Sequence, residues 1–145
     1  MQRILIVSIA MASAGAAGCG SSAPPATFQA GAPHGGLAFF FPNRKGSVEI
    51  IAEPAGKGTA GVSARNSRQL VAYFYQADGV TPLTPTPSDV KVDIGGPAPV
   101  ALTPQDGDGK VGRFASPPGP YAEELRGTLE ADVGGEPIRV PFVRR

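Results

Sequence analysis

Short apolar runs, separated by glycine, proline, asparagine or aspartate, make up most of the chain from residue 36 onward. Residues 47–53, 89–94 and 126–133 each alternate apolar and polar positions. A period of two residues is typical of a β-strand with one face in a core and the other in water. No segment of this region keeps a period of 3.6 residues over several turns. The pattern therefore predicts strands joined by turns.

Residues 69–76, QLVAYFYQ, depart from this alternation because they are apolar on both faces. A strand that is apolar on both faces is typical of the middle of a sheet with both sides covered. Asp78-Gly79 follows directly and is a turn signal. This segment is therefore predicted to be a central strand. Tyr73 and Tyr75 share one of its faces, where they form either a binding surface or, as is more usual for such rings, part of the core or of the packing between two sheets.

The C-terminal region predicts a β-hairpin. Residues 126–133 and 138–143 flank Gly134-Gly135, a pair that suits a tight two-residue turn. Pro141 lies inside the second of these strands and cannot donate a backbone hydrogen bond, so it places that strand at a sheet edge or at a bulge.

Seven or eight such strands with frequent turns predict an all-β, antiparallel β-sandwich over residues 34–145. Its core should hold the residues that the alternation places inward. These are Ile50, Leu70, Ala72, Phe74, Val90, Val92, Ile94, Leu102, Leu129, Val133, Ile138, Val140 and Phe142.

The first eighteen residues have the layout of a secretory signal. Arg3 provides a short basic start, residues 4–12 are mostly apolar, and small residues continue to the cleavage zone. The apolar run is shorter than the ~20 residues that a membrane-spanning helix needs. Residues 1–18 are therefore predicted to be a signal peptide.

Cys19 is the only cysteine of the chain and follows this zone directly. Ala16-Ala17-Gly18-Cys19 resembles the lipobox of bacterial lipoproteins, with alanine at the position where leucine is usual. The resemblance implies that the Cys19 thiol carries diacylglycerol, that cleavage falls before it, and that its new amine is acylated. Several acyl chains make a firm membrane anchor. The alternative is an ordinary secretory signal with an incidental thiol, which would be a liability in an oxidising compartment.

Residues 19–33 are predicted to be a lipidated, flexible tether, because small residues, prolines and glycines bury too little apolar surface to become ordered. By the sorting rule of bacterial lipoproteins, Gly20 after the cysteine implies the outer membrane, facing the periplasm, in a cell with two membranes. The chain has 13 Lys+Arg and 12 Asp+Glu, and the signal removes Arg3, so the mature chain is neutral. This balance argues against nucleic acid as a partner.

His34, the only histidine, lies in the segment Pro33-His34-Gly35-Gly36. It is either a metal ligand or pH-sensitive contact, or an incidental or hydrogen-bonded imidazole in a glycine-rich turn. We favour the turn, because zinc sites usually need three or four ligands. No metal site beyond this candidate, no cofactor and no catalytic residue is predicted.

The PHGG segment, the SVEII strand, the QLVAYFYQADG segment and the final hairpin resemble a group of uncharacterised small bacterial envelope lipoproteins over about residues 33–143. This group is similar to the immunoglobulin-like sandwiches of some periplasmic copper carriers and metal-efflux accessory proteins. The resemblance implies an immunoglobulin-like β-sandwich. Soft-metal sites need cysteine, methionine or several histidines, and the mature chain offers His34, since both methionines lie in the signal.

Two functions follow from these observations. The first is a non-enzymatic envelope lipoprotein, anchored in lipid through Cys19, whose β-sandwich has a binding or structural role and contacts an envelope protein. The alternative is a metal-handling accessory domain of an efflux or metal-transport system, in which His34 joins ligands from a partner or from a second copy.

Overall fold

A computed structural model of the chain describes residues 28–29, 31–55, 67–105 and 112–144. The predicted signal peptide and Cys19 lie outside these residues. The described residues contain no helix, and so none that is long and apolar enough to cross a membrane. Their strands are β1 (Phe28–Gln29), β2 (Leu37–Phe40), β3 (Gly46–Pro54), β4 (Arg68–Gln76), β5 (Ser88–Asp93), β6 (Val100–Ala101), β7 (Thr103–Pro104), β8 (Arg113–Ala115), β9 (Leu125–Val133) and β10 (Glu136–Arg144).

The strands form two antiparallel sheets. The six-stranded sheet has the order β1-β2-β3-β4-β8-β7, and the four-stranded sheet has the order β10-β9-β5-β6. The run β3-β4-β8-β7 corresponds to strands A-B-E-D of an immunoglobulin domain, and β10-β9-β5 corresponds to G-F-C. The predicted immunoglobulin-like β-sandwich is confirmed, with β1 and β2 added beyond the position of strand A.

Alternate residues of both sheets meet in one core between them. Every residue that the alternation placed inward lies in this core or packs against it. The rings of Phe39 on β2 and Phe142 on β10 join the two sheets, with their centroids 6.1 Å apart. β4 is buried on both faces along most of its length, as predicted for the segment QLVAYFYQ. The period of two therefore determined which side chains face the core.

The described residues form ten strands, whereas the sequence predicts seven or eight. Three of the ten, β1, β6 and β7, have only two residues each. The short apolar segment Val100–Leu102 is not one strand: β6 (Val100–Ala101) pairs with β5 in one sheet, and β7 (Thr103–Pro104), which follows Leu102, pairs with β8 in the other. Leu102 lies between them, and its backbone N–H donates to Val90 in β5 while its side chain enters the core. The chain thus crosses from one sheet to the other at this leucine.

The turn signals are confirmed. Gly134 and Gly135, with φ of 63° and 84°, form the tight turn of the β9–β10 hairpin. Both angles are positive, as is required at the two central residues of a common type of two-residue hairpin turn. β10 is the edge of its sheet, so the backbone position of Pro141, which has no N–H, does not interrupt the sheet.

The N-terminal edge of the six-stranded sheet positions the site described below. β1 pairs with β2, with Phe28 opposite Phe39 and Gln29 opposite Ala38. Part of the segment predicted as tether therefore forms an edge strand. The chain then turns through residues 31–36, crosses the outer face of the sheet and enters β2.

Candidate functional site

The outer face of the six-stranded sheet, which points away from the core, is largely buried. β3 alternates, so Val48, Ile50 and Ala52 face the core while Glu49 faces outward, as the sequence predicts. Glu49 is nevertheless 0% exposed. On the same face lie polar and aromatic side chains connected by hydrogen bonds, which we call the outer-face cluster: His34, Glu49, Glu53, Tyr73, Tyr75 and Arg113.

The turn of residues 32–36, which we call the His34 turn, is bound to the sheet by Glu49. The backbone N–H groups of Gly36 and His34 donate to Glu49 Oε1 at 2.6 Å and to Oε2 at 3.2 Å. A Cβ on Gly36 would lie 2.7 Å from Glu49 Oε1 and would collide with Ile51, so only glycine fits here. Gly35 has φ of 77°, a left-handed conformation that glycine adopts without strain. The two glycines of PHGG are thus explained by the turn.

The His34 ring continues this contact. Its Nδ1 lies 3.2 Å from Glu49 Oε2 and 2.9 Å from Tyr75 Oη. The ring stacks on Tyr73 with a centroid distance of 3.6 Å and an interplanar angle of 5°. Because the Glu49 carboxylate is an acceptor, we assign a proton to Nδ1; in the neutral imidazole the lone pair then lies on Nε2. Nε2 has no hydrogen-bond partner among the described residues, and the side chain is 41% exposed.

A second group of contacts lies beside the first. Tyr73 Oη donates to Glu53 Oε1 at 3.0 Å, and Arg113 Nη2 donates to Glu53 Oε2 at 2.9 Å. Arg113 Nε also donates to Tyr73 Oη at 3.3 Å. Arg113 comes from β8 and reaches across β4 to β3, so one ion pair ties three neighbouring strands together.

Burial sets the ionisation of the two phenols. It raises the pKa of Tyr75, and the charge of Glu49 and its hydrogen bond to the phenol raise that pKa further. Burial also raises the pKa of Tyr73, against the hydrogen bond from Arg113, which lowers it. Both phenols therefore stay neutral at physiological pH and serve as hydrogen-bonding groups, not as nucleophiles.

Ser47 lies outside the outer-face cluster and differs from it in its hydrogen bonding. It lies on the same face of β3 and directly opposite Tyr75 in the register. The residue is 0% exposed, and its Oγ has no hydrogen-bond partner among the described residues. A buried hydroxyl without a partner is costly and calls for an explanation.

The described residues contain no group of three or more His, Cys, Asp or Glu side chains that could hold a metal ion. A metal at His34 would therefore need ligands from another molecule. The donor set fits such a shared site in one respect, since a metal-binding imidazole usually donates its other ring N–H to a carboxylate. Glu49 takes that role toward His34.

Sequence reasoning located part of this site. His34 lies in a glycine-rich turn and its ring is hydrogen-bonded, while its role as a metal ligand stays a prediction. The expectation that Tyr73 and Tyr75 are core residues is confirmed, since both are 5% exposed and belong to a buried cluster. That cluster lies on the outer face of the sheet and not between the two sheets. Glu49 and Arg113 were not identified from the sequence. A signal for Glu49 was present, since it interrupts an otherwise apolar strand beside a partner strand that is apolar on both faces.

Comparisons with protein-family models, with curated proteins and with solved structures gave no match.

Proposed function

We propose that the chain is a non-enzymatic envelope lipoprotein that is anchored in lipid through Cys19 and binds another envelope component through the outer-face cluster. The anchor rests on the signal layout of residues 1–18 and on the position of the single cysteine. The outer membrane, facing the periplasm, is the proposed location in a cell with two membranes, because glycine follows Cys19.

The observation that carries the binding role is the concentration of the polar network on one sheet face. His34, Tyr73 and Arg113 belong to different strands or turns, yet hydrogen bonds and ring stacking hold them in one patch. The side chains of His34 and Glu53 reach the surface, at 41% and 31% exposed, while the buried Tyr73 and Arg113 hold them in place. Groups that are already fixed lose little freedom when they bind a partner. Both phenols are neutral and no nucleophile has been found in the patch, so the patch supports recognition better than catalysis.

The tether would keep this patch near the membrane. Cys19 and Phe28 are separated by nine peptide steps, which span at most ~30 Å when fully extended. β1 pairs with β2, at the edge where the His34 turn begins. The binding partner is therefore proposed to be a membrane component or a protein close to the membrane.

Photo-crosslinking in intact cells tests the binding role. A photoreactive amino acid at Pro33, which is exposed beside the cluster, should give a discrete adduct. The matched control is Lys91, which is exposed on the outer face of the four-stranded sheet. Adducts of equal yield at both positions, or none at Pro33, would count against the proposal.

Mass spectrometry of membrane-extracted protein tests the anchor independently. We expect a chain that begins at an acylated Cys19, and a Cys19→Ser variant that is released from the membrane fraction. A free thiol at Cys19, or retention of residues 1–18, would contradict the anchor.

A metal-handling role is the second candidate, favoured by the exposed His34 ring whose Nδ1 contacts Glu49. In this role, Nε2 of His34 would bind a metal whose other ligands come from a partner or from a second copy of the chain. Titration of the protein with Zn²⁺ and with Cu⁺ should show binding that disappears in His34→Ala. Binding that is unchanged in His34→Ala would exclude this role.

A further inference from the structure

Two glutamate–tyrosine pairs lie side by side in the outer-face cluster. In one pair, Arg113 donates one N–H to Glu53 and another to the phenol oxygen of Tyr73. In the other pair, Nδ1 of His34 lies within hydrogen-bonding distance of Glu49 Oε2 and of the phenol oxygen of Tyr75. The chain thus fills one glutamate–tyrosine pair with a guanidinium group and the other with an imidazole.

The imidazole lies over the Tyr73 ring and beside Glu49 and Tyr75, in a position that we call the slot. Its shape suits a flat group. The His34 ring lies parallel to the Tyr73 ring at a centroid distance of 3.6 Å. A guanidinium group is also planar and stacks on aromatic faces, whereas the tetrahedral ammonium group of lysine cannot lie flat on a ring. The shape of the slot therefore favours arginine over lysine.

The charges of the cluster favour a cation in the same slot. With a neutral imidazole, Arg113 is the one cation that the described residues of the cluster set against Glu49 and Glu53. The donors that reach the buried Glu49 from the described part of the chain are then neutral: two backbone N–H groups, the ring N–H and the Tyr75 hydroxyl. A buried carboxylate is better stabilised by a fully charged, hydrogen-bonded partner.

The number of hydrogen-bond donors also favours a guanidinium group over an imidazole. A guanidinium group has five N–H donors, so it can reach the carboxylate and the phenol oxygen and still have donors left. An imidazole has only one N–H on this side.

We propose that the slot binds the guanidinium group of an arginine on a partner protein. The His34 side chain occupies the same position in the free protein, and it leaves the slot when that arginine binds. Rotation of the His34 side chain is enough to vacate the slot over Tyr73, since the ring is 41% exposed. The backbone of the His34 turn stays bound to Glu49. This inference rests on the proposed binding function and names the chemistry of the partner.

The test is an NMR titration of the isotope-labelled protein, purified from membranes in detergent micelles. The probes are N-acetyl-arginine amide, the citrulline analogue, which is flat but neutral, and the lysine analogue, which is charged but not flat. We expect only the arginine probe to shift the signals of Gly36, Tyr73 and Tyr75. In His34→Ala it should bind several-fold more tightly, because occupation of the slot by the His34 ring lowers the apparent affinity in proportion to the fraction of molecules in which the slot is open.

Two results would overturn the inference. One is that the arginine probe binds His34→Ala no better than the citrulline probe does. The other is that Tyr75→Phe, combined with His34→Ala, binds arginine as tightly as His34→Ala alone. Tyr75→Phe keeps the ring and removes the phenol oxygen, so this comparison does not require the loss of a buried charge.

The result of this titration can be distinguished from the result of the crosslinking experiment that tests the proposed function. Arginine binding without a Pro33 adduct in cells would leave the slot intact and count against an envelope partner. A Pro33 adduct without arginine selectivity would support the binding function and overturn the arginine slot.

Discussion

The outer faces of the two sheets differ, and so do the strands that form them: β5 and β9 carry charged residues outward, whereas β4 is apolar on both faces. On the four-stranded sheet, the outward residues Lys91, Glu130 and Arg139 are exposed. On the six-stranded sheet, the outward residues Glu49 and Tyr75 are 0% and 5% exposed. A polar residue at an outward position of a strand is thus buried on one sheet and exposed to solvent on the other.

The His34 turn accounts for much of this difference. It crosses the outer face of the six-stranded sheet and brings two backbone N–H groups to Glu49. Buried backbone N–H groups need acceptors, and a buried carboxylate needs donors, so the two requirements satisfy each other. An outward glutamate on a strand therefore indicates solvent only when no other segment folds over it.

The largest effect is expected from the removal of Glu49. Glu49→Ala leaves the N–H groups of His34 and Gly36 without their acceptor, and we expect it to lower the free energy of unfolding by about 3 kcal/mol or more. The matched change on the exposed face, Glu130→Ala, should cost less than about 0.5 kcal/mol. Urea denaturation measures both changes. Equal losses would mean that the two faces are energetically alike.

The glycine of the His34 turn should give the next largest effect. Gly36→Ala places a Cβ 2.7 Å from Glu49 Oε1 and against Ile51, and overpacking of this kind typically costs about 1–3 kcal/mol. Gly96 is the control, because a Cβ there meets nothing closer than 3.8 Å. Thermal denaturation should show a lower midpoint for Gly36→Ala and little change for Gly96→Ala. A normal midpoint for Gly36→Ala would show that the turn is not held tightly.

Alkaline pH should also act on the outer face of the six-stranded sheet. Burial raises the pKa of Tyr75 above the unfolded value of about 10. Stability from this tyrosine is therefore complete below pH ~10 and falls at higher pH, by about 1.4 kcal/mol per pH unit, as the unfolded phenol loses its proton while the folded one keeps it. Unfolding at pH 9 and at pH 11 measures the loss. It should be smaller in Tyr75→Phe than in the wild type, and an identical loss would contradict the assignment.

The smallest effect is expected from the exposed ion pair of the four-stranded sheet. Arg139 and Glu130 are cross-strand partners, with Nε of Arg139 3.4 Å from Oε1 of Glu130. Their side chains are 73% and 50% exposed. A double-mutant cycle should give a coupling of less than about 1 kcal/mol that weakens with salt. The cycle for Arg113 and Glu53, whose side chains are 8% and 31% exposed, should give a larger coupling that is less sensitive to salt. The reverse order would contradict the comparison of the two faces.

The architecture was predictable because it follows from local patterns. The alternation of apolar residues identified the core, Gly134-Gly135 identified the hairpin, and Pro141 identified an edge strand. The division of the chain at Leu102 between two sheets was not predictable, since the two-residue strands β6 and β7 leave no periodic signal. The lipid anchor at Cys19 stays a prediction, because Cys19 lies outside the described residues.

The candidate site was less predictable than the fold. The sequence indicated His34 and the two tyrosines, but it did not indicate that they meet Glu49 and Arg113. Glu49 and Arg113 are more than sixty positions apart in the sequence and are brought together on one face by the order β3-β4-β8. Contacts of this kind depend on strand order, which no local pattern encodes.

The sequence by itself determined the strands, their inward faces and the turns, because each depends on residues that are close neighbours along the chain. Only the tertiary structure decided that the His34 turn lies over Glu49, and that this outward glutamate is buried while the outward Glu130 is exposed. The physical reason is that the burial of a polar group is decided by the segment that covers it, and that segment is chosen by the packing of the whole chain.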